Sequence, residues 1–182
     1  MRNFDKSCSD PFQLTPDDKT ANLATIRRFC REPAMKECQI ACFPEMCVTR
    51  YSHFRNLSRK QIGSLSQIVA DGPTTQSIAE FAKEYEFTTG DEIIEISNTG
   101  EYYNTYDIDQ PNVRIDKRRK LNCFVSECKS SGDRCTVIER GLGIKLSVLI
   151  CYINKLVENV RLTVLKGADI FLDTHQTGGV IH

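Results

Sequence analysis

Three residues far apart in the chain could do chemistry together: a carboxylate at Glu45, an amine at Lys120 and a thiol at Cys151. The thiolate is the attacking form of a cysteine, and a free thiol is only a few per cent ionised at neutral pH. A carboxylate whose pKa is raised by partial burial can take the thiol proton and later hand it to a leaving amine. An ammonium group can balance the two negative groups and, with the backbone N–H of Tyr152, donate to an oxyanion. Attack on a carbonyl or nitrile carbon would give a thioester or thioimidate for water to resolve, and no histidine is needed. On residue type alone a plainer reading competes. Cys151 would be a small core residue, Glu45 a loop cap and Lys120 a solvated edge charge.

The surrounding pattern says which elements would carry these groups. Ile144, Leu146, Val148 and Ile150 alternate as one face of a strand, and Leu149 makes its end apolar on both sides. Leu156, Val157, Val160 and Val164 then recur at three and four, the stripe of a helix. Gly167 is placed to end that helix in a left-handed turn, and residues 168–172 supply the next apolar run. This is a parallel β-α-β crossover, with Cys151 where the first strand stops. The run from Cys38 to Phe43 reads as a strand halted by Pro44, which puts Glu45 at its carboxyl end. Lys120 closes the basic run that begins at Lys117 and precedes an apolar pair, so it leaves a strand edge pointing inward.

Elsewhere, Thr15-Pro16-Asp17-Asp18 predicts a helix start with Thr15 as cap and Leu23, Ile26, Cys30 and Met35 on the buried stripe. Pro33 should kink or end that helix. Ser58 and Gln61 have capping-box spacing, ahead of a helix whose face would be Ile62, Leu65, Ile68 and Val69. After the break at Asp71-Gly72-Pro73, Ile78, Phe81, Ala82 and Tyr85 mark a third helix. Residues 87–119 are β-like but poor in pattern. Asp107 and Asp109 flank Ile108 where apolar neighbours are expected, so either their burial costs several kcal/mol or the strand splays to water. A last hairpin-like stretch, residues 134–138, turns at Gly141 into the strand before Cys151. Alternating helices and strands predict an α/β layered domain, in which chemistry gathers at the carboxyl ends of strands.

At 182 residues the chain is long enough for one domain with a sizeable core. Lysines plus arginines number 24 and aspartates plus glutamates 24, which excludes nucleic acid or an anionic membrane as the main expected partner. Apolar runs are too short to span a bilayer, and residues 1–6 lack the apolar core of a signal peptide. Nine cysteines without module-like spacing fit a reducing cytoplasm, and most of them are expected in the core. Cys38, Cys42 and Cys47, and Cys123, Cys128 and Cys135, contain no C-x-x-C, and His53, His175 and His182 are scattered, so zinc is disfavoured.

Phe43-Pro44-Glu45, Arg119-Lys120-Leu121 and Leu149-Ile150-Cys151-Tyr152 occur in this order. Together they resemble the nitrilase superfamily of carbon–nitrogen hydrolases, whose Glu-Lys-Cys triad lies in these three settings. The likeness runs on through Asp71-Gly72-Pro73, Tyr103-Asn104-Thr105, Gly132-Asp133, Gly167-Ala168-Asp169 and the stretch from His175 to Gly179. It covers most of the chain from about Ala21 onward. The resemblance implies an α-β-β-α sandwich that is incomplete at its C-terminal end, residues 1–182 forming one domain that lacks the family's usual last strands and helices. It implies Glu45 as general base, Lys120 as oxyanion stabiliser and Cys151 as nucleophile. Glu127 matches a second glutamate that positions substrate and lysine, and Tyr152 and His175 are further substrate-positioning candidates, His175 beside its reading as a structural histidine. No metal or organic cofactor is implied. The expected partners are a small amide, N-carbamoyl or nitrile substrate and a second copy of the chain in a homodimer or higher oligomer. A second expectation stays open: a catalytically inactive relative that serves as an interaction or dimer-forming protein. Ile153 where the family has an acid, Arg50 where it has glycine, the acids at 107 and 109 and the early stop all favour it.

Overall fold

The computed structural model describes residues 12–36, 38–50, 57–112, 114–122, 130–140 and 143–175. Helix α1 spans Lys19–Met35 and strand β1 Ile40–Cys42. The expected cap moves from Thr15 to Asp18, whose carboxylate accepts the Ala21 N–H at 2.9 Å, while the Thr15 N–H is taken by the Asn22 side chain at 2.8 Å. Ile26 and Cys30 are fully buried, but Met35, the last helical residue, is 84% exposed. The helix ends two residues past Pro33.

Helix α2, Arg59–Leu65, begins with the predicted capping box of Ser58 and Gln61. It is shorter than its apolar periodicity suggested. Gln67 bridges to the first sheet instead, its N–H donating to Ile94 O and its carbonyl accepting from Ile96 N–H. Sheet pairing there overrides helical periodicity, so Val69 is buried and Ile68 is left facing solvent. Helix α3, Pro73–Glu84, has proline in its first turn and buries Ile78, Phe81 and Ala82 as expected, with Tyr85 packed at the edge of the same cluster.

Strands β2 (Thr88–Ile96), β3 (Tyr102–Asp109) and β4 (Ile115–Arg119) complete a four-stranded sheet in the order β1-β2-β3-β4. β1 runs parallel to β2, and the other pairs are antiparallel. The second sheet holds β5 (Ile138–Arg140), β6 (Ile144–Ile150) and β7 (Ile170–Thr174) in that order. β6 and β7 are parallel and joined through helix α4, Val157–Leu165, which is the expected crossover. Gly167 closes it at φ +85°, a conformation that side-chain-bearing residues avoid.

The face of α4 differs from expectation. Asn159 and Thr163 are buried, while Val157, Leu162, Val164 and Leu165 are exposed. A polar seam decides this. Thr163 Oγ1 lies 2.8 Å from Cys135 Sγ and donates to Asn159 O at 2.7 Å, and Asn159 Nδ2 reaches Ile153 O at 3.4 Å.

α1 and α3 cover the outer face of the first sheet, α4 covers the outer face of the second, and Tyr106 and Ile108 of β3 share a core cluster with Leu149 of β6 between the sheets. The layering is α-β-β-α, as predicted. Strand β3 does not splay around its acids. Asp107 and Asp109 are fully buried, and register places them beside Asp91 and Thr89 of β2, so a third buried acid joins the two seen in the sequence. Of the six described cysteines, Cys30, Cys47 and Cys135 are in the core, but Cys38 and Cys42 are exposed, which corrects the expectation for those two. Among the described residues no helix is long and apolar enough to cross a membrane.

Candidate active site

Glu45 comes from a tight turn just past β1. The Phe43 N–H extends the parallel ladder to Gly90 O at 2.7 Å, and Pro44, lacking an N–H, cannot continue it. The chain then turns through Met46 at φ +54° and Arg50 at φ +67°, with the Arg50 N–H returning to Met46 O at 2.8 Å. Left-handed non-glycine residues cost about 1–3 kcal/mol each, so surrounding contacts must hold them. Here Cys47 supplies one: its sulfur accepts the Glu92 N–H at 3.5 Å. The turn leaves the Glu45 carboxylate fully buried.

Lys120 is the first residue after β4, and its N–H adds one more rung to the β3–β4 ladder, to Asn104 O at 2.8 Å. Alternation along β4 sends Lys117 and Arg119 outward and Arg118 and Lys120 into the space between the sheets. Lys120 Nζ lies 2.6 Å from Glu45 Oε1, both groups being closed off from solvent. Burial pulls the ammonium's pKa down, but the charges of Glu45 and Glu92 outweigh it and hold Lys120 above its ordinary value. Asn104 Nδ2 donates to the same Glu45 oxygen at 3.2 Å.

Cys151 is the first residue after β6 and opens a 3₁₀ turn, Cys151–Lys155, at φ +52°. Alternation from Ser147 and Leu149 aims it between the sheets, toward the acid and the amine. Burial first, then the charge of Glu45 and a hydrogen bond to it, push the thiol up to about 11, against the opposing pull of Lys120 and the Tyr152 N–H. The thiol–carboxylate contact is loose: Glu45 Oε2 has no hydrogen bond of good geometry. Such contacts commonly tighten only when substrate is bound. A neutral resting thiol, an adjacent carboxylate, a buried ammonium and a backbone N–H at the sulfur are the parts of a base-activated nucleophile.

The structure thus brings Glu45, Lys120 and Cys151 together and sets the Tyr152 N–H on the sulfur; the Tyr152 side chain itself is 41% exposed. His175 follows β7, one strand from Cys151 at the same sheet end, with Nε2 2.9 Å from Asp173 Oδ1. Glu127 lies outside the described residues, as do His53, His182, Cys123 and Cys128. Among the described residues no group of three histidine, cysteine or acidic side chains is disposed to hold a metal ion. The residue reading gave no role to Asn104 or Glu92. The signal for Asn104 is its place on the Tyr103-Asn104-Thr105 strand, alternating with Tyr106 toward the inner layer.

Residues 11–180 match the model of the family described as carbon-nitrogen hydrolase. The chain belongs to that family. A nitrilase of Pyrococcus abyssi (strain GE5 / Orsay) is 27% identical over 169 residues, 88% of this chain and 60% of that protein. The crystal structure of a Saccharomyces cerevisiae member of branch 10 of the nitrilase superfamily superposes with a TM-score of 0.75 at 30% identity, covering 90% of this chain and 60% of that one. An amidase from Nesterenkonia shares the fold at a TM-score of 0.75 and 18% identity, over 92% of this chain and 65% of its own. In one structure of that amidase, a variant, acrylamide has added to the active-site cysteine by Michael addition. The chain therefore spans about three-fifths of the length of its carbon–nitrogen hydrolase relatives.

Proposed function

We propose that this chain hydrolyses a non-peptide carbon–nitrogen bond of a small amide, N-carbamoyl or nitrile substrate through a cysteine acyl-enzyme. The observation that carries this reading is the convergence of Glu45, Lys120 and Cys151 in one buried space, with Lys120 Nζ and Glu45 Oε1 2.6 Å apart. Glu45 takes the Cys151 proton, and the sulfur attacks the substrate carbon. Charge developing on the carbonyl oxygen or nitrile nitrogen is held by Lys120 and the Tyr152 N–H. With an amide or N-carbamoyl substrate Glu45 returns the proton to the departing amine; with a nitrile it protonates the thioimidate nitrogen, and a first water adds and expels ammonia. Water, deprotonated in turn by Glu45, then releases the acid, and the proton goes back to the Cys151 sulfur. Asn104 orients the Glu45 carboxylate. His175 and Glu127 are assigned to substrate positioning. Residues 1–182 act as one domain in the cytoplasm, and the exposed Val157, Leu162, Val164 and Leu165 of α4 meet a second copy in a homodimer.

Cys151→Ala should abolish both ammonia release from simple aliphatic amides and nitriles and any covalent adduct seen by intact mass. Retention of either by the variant overturns the reading. Wild-type protein that releases no ammonia and alkylates Cys151 no faster than the exposed Cys38 and Cys42 is instead the inactive, interaction-forming relative.

A further inference from the structure

The Gly132-Asp133 motif takes no part in the chemistry above, yet the chain there is held hard against β4. The Gly132 N–H donates to Lys120 O at 2.8 Å. A Cβ at this position would stand 2.7 Å from Arg119 O and 2.9 Å from Arg119 Cβ, closer than side-chain-bearing residues come to backbone. The residues that follow are thereby laid beside the outward side chains of β4, and together they line a cavity of about 320 Å³. Among the described residues its walls are Lys117 and Arg119 from β4 with Asp133, Arg134 and Thr136 from the crossing segment. That volume is at the lower end of the range in which small ligands bind.

The cations of this cavity are fixed without being used up. Glu95, 2% exposed, takes Lys117 Nζ at 2.6 Å and Arg119 Nε and Nη2 at 2.8 and 2.7 Å. The Arg119 guanidinium also lies over the Tyr103 ring, 3.8 Å from its centre, and its Nη1 makes no hydrogen bond. Lys117 spends one donor of three. Arg134 bonds through Nε and Nη2 to Asp133 at 3.1 and 2.9 Å, which leaves its Nη1 unused. That pair is 75% and 66% exposed, so it yields readily to a stronger acceptor. Three cations against two carboxylates leave one positive charge unbalanced at the cavity. We propose that it binds a phosphoryl group, as inorganic phosphate or a phosphate monoester. A tetrahedral oxyanion offers an oxygen to each of the three unused donor edges, where a carboxylate has two, and guanidinium forks match such oxygens with charge-assisted bonds. Fixing two of the cations beforehand lowers the ordering cost of binding. The site does not depend on the Glu-Lys-Cys reading, because alternation along β4 turns Lys117 and Arg119 to the face opposite Lys120.

The test is calorimetric titration of the full chain with inorganic phosphate and with phenyl phosphate, at constant ionic strength. One saturable site is expected, and Arg134→Gln should weaken it about tenfold, the loss of one charge-assisted hydrogen bond. Lys117→Gln, which leaves Arg119 on Glu95, should weaken it by a similar factor. Arg27→Gln removes another exposed arginine, on α1, and should leave binding as it was. Tighter binding of phenyl phosphate marks the ester as the ligand, and tighter binding of inorganic phosphate marks the free ion; either supports the site. Absence of saturable binding overturns the proposal, as does a folded Arg134→Gln or Lys117→Gln that binds like the wild type. Should Lys117→Gln fail to fold by circular dichroism, Arg134→Gln, whose side chain is the more exposed, decides alone. An equal loss in Arg27→Gln would reduce the effect to net charge and overturn the site. Succinate binding as tightly as phosphate would overturn the phosphoryl assignment.

Discussion

On the inner face of the first sheet Lys120 lies 2.6 Å from Glu45; on the outer face of the same strands Asp91, Asp107 and Asp109 are equally closed to solvent. Lys117, the cation in register with Asp107, is engaged by Glu95 at 2.6 Å instead. Glu95 also takes Arg119 and Thr105, and these three overcome the upward push of burial and bring it to about 2. Thr75 donates to Asp107 at 3.0 Å and Thr89 to Asp109 at 3.5 Å, while Asp91 and Asp109 share a hydrogen bond with each other. Burial, and then the mutual charge of the acids, push Asp91 and Asp107 well above the usual range, and burial takes Asp109 to about 7. Pairing with opposite charge serves Glu45 on the inner face and Glu95 on the outer one; the aspartate cluster beside Glu95 instead keeps protons on like groups. The same backbone serves both because a buried carboxyl can be tolerated either way, beside an opposite charge or protonated among like groups.

Removing the cation from the inner face should have the largest effect on stability. Lys120→Met leaves Glu45 buried without its contact charge and should cost about 3–5 kcal/mol in denaturant unfolding; a smaller loss would mean that water enters the layer. The outer face is tested by pH. Folded pKa values raised above the unfolded 3.8 mean that the native state binds more protons, so stability should fall as pH rises from about 4 through 7. The slope is roughly 1.4 kcal/mol per pH unit for each retained proton. Asp91→Asn should flatten that slope between pH 5 and 8, and thermal melts with parallel slopes in both proteins would remove the contrast. The smallest change is Thr75→Val, which deletes the hydroxyl donor to Asp107 at a cost of about 1 kcal/mol. The loss should be greater at pH 8 than at pH 5, because the hydroxyl favours the ionised carboxyl. An equal loss at both would mean that Asp107 keeps its proton throughout.

The order of elements and the crossover around Cys151 were legible because Ile144 to Ile150 alternate as a strand, residues 168–172 form the next apolar run, and Gly167 marks the turn between helix and strand. Glu45, Lys120 and Cys151 were legible because each adjoins an abrupt strand end, and a strand end is a local signal. What failed was non-local. Ile68 kept helical spacing, yet the pairing of Gln67 with β2 ended the helix before it. Val157 and Val164 kept helical spacing too, but Thr163 and Asn159 found hydrogen-bond partners inside, and those partners lie on other elements. Asp91 escaped notice because Thr-Thr-Gly-Asp-Glu has no strand pattern of its own; β3 makes it one through register.

The left-handed backbone at Cys151 limits what could ever replace that side chain. At φ +52° a residue branched at Cβ is sterically penalised, while an unbranched one is merely strained. Serine can therefore stand at the turn without altering its path. Threonine would first have to rebuild it. Between the two hydroxyl residues that could replace the sulfur with oxygen, shape therefore chooses serine before reactivity is consulted.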